Sequence, residues 1–73
     1  MRKEMVGALK SKYRADYNIA HANLNIYLTN PVGIGEHPQH FEEMDKLVES
    51  MTAARDKLEV LNKEYPDAIH LAE

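Results

Sequence analysis

The chain has 73 residues, no cysteine and a net charge of -3, with nine Lys and Arg set against twelve Asp and Glu. A chain of this length makes one small domain, burying only about 60% of the surface that its unfolded form exposes. The lack of cysteine excludes a disulfide framework, a thiolate metal site and a thiol nucleophile, and the near-balanced charge gives no strong field for polyanions.

The first predicted element is a helix over residues 2–29, interrupted only by Gly7, which costs about 1 kcal/mol relative to Ala. Val6, Leu9, Tyr13, Tyr17, Ala20, Leu24 and Leu28 recur at steps of 3, 4, 4, 3, 4 and 4. That eleven-residue rhythm lies close to the natural helical repeat and predicts a nearly straight apolar stripe. Ala8, Ala15, Ile19, Ala22 and Ile26 form a second stripe, roughly 150° round the helix at about 100° per residue. Asp16 and Asn23 lie between the two stripes, where a buried polar group would set register. Lys3, Lys10, Arg14, Asn18, His21 and Asn25 are assigned to the polar side.

The stretch NPVGIGEHP, residues 30–38, follows. A residue before proline is pushed out of the helical region, so Asn30 before Pro31 ends the first helix. Pro38 suits the first turn of the next helix, where its missing N–H costs nothing. Gly33 and Gly35 permit the positive φ angles of a tight reversal. This hinge has no strand before it and lacks the third glycine of a dinucleotide-binding loop, and Glu36 would repel phosphate. His37 and His40 are two ligands where a closed zinc site needs four, so no metal and no cofactor are expected. His37 is expected before the helix and His40 on its first turn, in solvent.

The second predicted helix covers residues 38–64. Met44, Leu47, Met51, Ala54, Leu58, Leu61, Tyr65 and Ala68 alternate at steps of 3 and 4 without a miss, a heptad seam that predicts coiled-coil-like packing. Phe41 and Val48 flank it on one shoulder. Pro66 should interrupt the helix, leaving a tail over 65–73 in which Ile69 and Leu71 need cover. The expected fold is all-α: an antiparallel two-helix hairpin. Its core is Leu9, Tyr13, Tyr17, Leu24 and Leu28 against Met44, Leu47, Met51, Leu58 and Leu61.

One hairpin leaves the second stripe of helix one without a partner. Ala15, Ile19, Ala22 and Ile26 are therefore the expected dimer face, and a four-helix bundle of two copies is the natural completion. The loop end is acidic and the far end basic, which favours an antiparallel homodimer. A monomer whose tail covers the second stripe is the alternative arrangement.

No nucleophile has a base and an orienting group, and a hairpin offers no substrate-sized concavity, so enzymatic activity is not expected. The expected role is a structural or protein-interaction module. The alternative is a small nucleic-acid-associated regulator using the basic start of helix one, where residues 1–28 hold five positive and two negative side chains. Tyr13 and Tyr17 fall on the main stripe, however, and are more simply core residues. No apolar run approaches the roughly 20 residues of a membrane span, and the opening MRKEMVGALKSKYR lacks the apolar region of a secretory signal.

The stretch NPVGIGEHPQHFEEMDKLVESMTAARDKLEVL, residues 30–61, resembles the equivalent part of small uncharacterised proteins of tailed bacteriophages that infect marine cyanobacteria. The likeness rests on the Asn-Pro…Gly-x-Gly-Glu-His-Pro hinge. It implies a phage-associated helical hairpin in the host cytoplasm, and it brings no catalytic residues.

Overall fold

The computed structural model describes residues 1–29 and 40–69, and within them the chain is all-helical. Helix α1 spans Arg2–Thr29 and helix α2 spans His40–Glu64. The two pack against each other in a slab of 48 × 19 × 14 Å. The hinge residues Asn30, Pro31, Gly33, Gly35 and Pro38, with His37, lie outside the described residues.

Local chemistry favours both helices. Glu4 in the first turn of α1 meets the N-terminal ammonium at 2.8 Å, so a carboxylate sits at the positive end of the macrodipole. At the other end, Thr29 Oγ1 donates to the Asn25 carbonyl at 2.7 Å. Helix α2 carries Glu42 and Glu43 in its first turn and Lys63 in its last. These charges complement its dipole at both ends.

On α2, His40, Met44, Leu47, Met51, Ala54, Leu58 and Leu61 are buried or half-buried, and every other residue of the helix is exposed. The heptad seam is therefore the packing face.

The facing residues of α1 are Val6, Lys10, Tyr13, Tyr17, Ala20, Leu24 and Tyr27, all buried or half-buried. Their steps are 4, 3, 4, 3, 4 and 3, so the eleven-residue rhythm is replaced by a heptad. Leu9 and Leu28, expected in the core, are 42% and 61% exposed. Lys10 and Tyr27 take their places. The reason is geometric: a strict heptad on α2 stays in contact only with a strict heptad on its partner.

The apolar centre is thin. The only fully buried apolar side chains among the described residues are Ala20, Ala54 and Ala68. Small residues at a helix crossing let the backbones come close, but they bury little area.

After Glu64 the chain turns back. Tyr65 N–H still donates to the Leu61 carbonyl at 2.8 Å, and Ala68 N–H donates to the Tyr65 carbonyl at 3.2 Å. That closes a turn with Pro66 at its second position, where φ near −65° is required. The segment lies across the start of α1, not along its second stripe. A Cβ built on Gly7 would come 2.3 Å from the Ile69 carbonyl oxygen. Glycine is thus required here because the tail's backbone occupies the space of a side chain.

Candidate functional site

Two features of α1 go beyond apolar packing in the α1–α2 seam: a buried lysine at a seam position near its start and an apolar face along its length. The lysine is Lys10, assigned by pattern to the polar side but only 2% exposed. Its Nζ donates to the Tyr65 carbonyl at 2.7 Å and the Ala68 carbonyl at 2.5 Å. The Tyr65 carbonyl directly follows α2, where the negative pole of the dipole favours a cation, and the Ala68 carbonyl belongs to the turn beyond it. Lys3 adds an exposed ion pair to Asp67 at 3.5 Å, and the Arg2 guanidinium lies 5.9 Å from the Tyr65 ring centre. Lys10 is structural: it fastens the tail.

The second face of α1 is open. Ala15, Ile19, Ala22 and Ile26 are all exposed, Ile19 at 61% and Ile26 at 52%. Met5 and Ala8 extend the stripe towards the N-terminus, and both are also exposed. The whole line, Met5, Ala8, Lys12, Ala15, Ile19, Ala22 and Ile26, again follows steps of 3 and 4. Helix α1 thus carries two heptad seams, one filled by α2 and one empty.

Lys12 is the one charge on the second seam. It is held by Asp16, whose Oδ2 accepts from Nζ at 2.8 Å. That hydrogen bond, then the carboxylate's charge, pushes the Lys12 ammonium above its ordinary value. Asp16 therefore bonds within its own helix and does not reach α2 to set register, as its position between the stripes had suggested.

A signal missed in the sequence lies in the same place. Residues 17–29, YNIAHANLNIYLT, contain no Asp, Glu, Lys or Arg, yet nine of the thirteen are exposed. In α2, by contrast, eleven of 25 residues are charged. Charge depletion over exposed helix is the compositional mark of a surface that another protein covers. Asn18, Asn23 and Asn25, with β-branched Ile19 and Ile26, are also weak helix formers, so this half of α1 depends on packing.

Three smaller features complete the geometry. A cleft of about 380 Å³ lined by Asn23, Ile26, Tyr27, Glu43 and Leu47 adjoins the open face. A second, of about 250 Å³, is lined by Arg14, Tyr17, Asn18, Arg55 and Leu58. His40, expected in solvent, is half-buried with its ring edge-on to Tyr27 at 5.8 Å, and its buried Nε2 has no hydrogen-bond partner. Among the described residues, no three His, Asp or Glu side chains gather as a metal site requires, and neither helix is long and apolar enough to cross a membrane. Comparison with family models, curated proteins and solved structures finds no match to this chain.

Proposed function

We propose that the chain is a small, non-enzymatic structural or protein-interaction module whose working surface is the second face of α1. The observation that carries this reading is the exposed, charge-free stretch 17–29 on the side of the hairpin that α2 does not cover. A free hairpin gains nothing from displaying Ile19 and Ile26 to water, whereas a covered one gains roughly 25 cal/mol for each Å² of apolar area removed. The resemblance of residues 30–61 adds a phage setting, and with it the host cytoplasm.

Affinity purification from the producing cell tests this by comparing the wild type with Ile19→Asp/Ile26→Asp. The wild type should retain a partner that the variant loses while circular dichroism still shows a helical chain. Equal capture by both would refute the assignment of this face.

The alternative, a nucleic-acid-associated regulator, draws support from Arg14 and Arg55, which bring guanidinium groups from both helices to one cleft. It is weakened because Lys10 is buried and Lys3 and Lys12 already hold acidic partners. Phosphate contacts make affinity fall steeply with salt, so a lack of binding to DNA or RNA at low salt eliminates it.

A further inference from the structure

The open seam of α1 is complementary to itself. Its large positions are Met5, Lys12, Ile19 and Ile26, and its small positions are Ala8, Ala15, Ala22 and Thr29, each set repeating every seven residues. In a parallel pair of such helices, like positions meet, so alanine faces alanine and Lys12 faces Lys12. In an antiparallel pair the large positions of one helix fall against the small positions of the other. Every layer then holds one of each, the arrangement that fills space without voids.

Several antiparallel registers satisfy that rule; two of them cover both Ile19 and Ile26 over six or more layers, and charge separates these two. One sets Ile19 against Ala15 of the other copy; it buries Lys12 against Ala22 and brings the two Asp16 side chains together near the two-fold axis. The other sets Ile19 against Ala22 and Ile26 against Ala15. In that register Lys12 falls opposite Thr29 at the rim, Asp16 opposite Asn23, and Asn18 opposite Asn25. No like charges meet, and each polar side chain faces one able to hydrogen-bond with it. The Lys12 ammonium also falls beside the second copy's cleft lined by Glu43.

We propose that the second face of α1 binds a second copy of this chain antiparallel, with Ile19 of each copy against Ala22 of the other and Ile26 against Ala15. This rests on the reading of that face as the working surface, and it names the occupant.

The chain has no cysteine of its own, so single cysteines report the register directly. Ala15→Cys and Ile26→Cys chains are made separately, mixed and oxidised, while sedimentation equilibrium is run on the wild type. The expected result is a dimeric wild type and a disulfide formed several-fold more between the two variants than within either alone, because a disulfide needs Cα atoms within about 7 Å. Disulfides within each variant alone would show parallel helices and overturn the proposal. A dimeric wild type with no disulfide in the mixture would overturn the register. A monomeric wild type would overturn the second copy. In that last case Ile19→Asp/Ile26→Asp still decides, by partner capture, if the face serves another protein.

Discussion

Gly7→Ala sets two effects of known sign against each other. Removing a glycine from a helix interior stabilises it by about 1 kcal/mol. The added methyl would lie 2.3 Å from the Ile69 carbonyl oxygen, and backbone cannot yield as a flexible side chain does. The tail must lift, and with it go the Lys10 hydrogen bonds to the Tyr65 and Ala68 carbonyls and the burial of Ala68. Hydrogen bonds to a charged group contribute about 1.5–3 kcal/mol each. That gain is partly offset already by the cost of ordering the tail, about 1–2 kcal/mol per residue. The freed ammonium reaches water, so no buried unpaired charge is left to add to the loss.

We therefore expect Gly7→Ala to destabilise the full chain by about 1–2 kcal/mol, combining these terms. In a chain ending at Tyr65 the sign should reverse, with the same substitution stabilising by about 0.5–1 kcal/mol. Urea unfolding followed by circular dichroism measures both, at one fixed chain concentration because self-association would shift the midpoint. A full-length Gly7→Ala chain more stable than the wild type would show that the tail does not dock on α1.

Lys10→Met keeps the buried methylenes and removes the ammonium, so it should cost about 1–3 kcal/mol through two lost charge-assisted hydrogen bonds and an unpaired Ala68 carbonyl. It should also raise amide exchange at Ala68 while leaving Ala54, in mid-helix, protected. The Glu4 carboxyl is held below its ordinary value of 4.5, first by the N-terminal ammonium and then by a backbone hydrogen bond. Its contribution is present above the unfolded value and lost as pH falls through the folded one. The Lys12 ammonium is raised above its ordinary 10.5 by Asp16, so that contribution is present at lower pH and lost only as pH rises beyond 10.5. Protonation of Glu4 should therefore cost stability only in acid, below 4.5, and deprotonation of Lys12 only in alkali, above 10.5. In carboxyl NMR, Glu4 should titrate below 4.5 and move back towards 4.5 on N-terminal acetylation, and an unmoved midpoint would rule out the ammonium as the cause.

The helices and the α2 seam were legible because every seam position from Met44 to Leu61 is apolar and its neighbours are mostly charged or polar. The α1 seam was not. At Leu9–Lys10 the apolar residue is the exposed one, and at Tyr27–Leu28 both choices are apolar, so periodicity alone selects the wrong member of each pair. The constraint that resolves both is tertiary: a heptad on α2 demands one on α1, whatever the polarity at position 10. Gly7 and Lys10 looked like a flaw and a surface charge because the segment they hold, Tyr65 to Ile69, is more than fifty residues away in sequence. No local pattern encodes a backbone carbonyl arriving from that distance.

The compositional contrast between the helices follows from the number of sides on which each is used. Helix α2 packs along one stripe, and its remaining surface is mostly charged, with Phe41, Val48 and Val60 also exposed. Helix α1 meets α2 along one seam, accepts the tail at Gly7 and Lys10, and carries a second seam on its far side. That second seam is exposed in the single chain, and charge is absent from α1 from residue 17 onward. A protein needing only a stable hairpin has no use for that arrangement, because charged residues on the outer face of α1 would keep it soluble without weakening the α1–α2 seam. The thin centre of three alanines points the same way. Small side chains bring helices close but bury little area, so a second copy on the open seam, as proposed, would add to the hairpin's stability. Occupancy of the second seam and stability of the fold should therefore rise and fall together, and folding should be linked to binding by mass action.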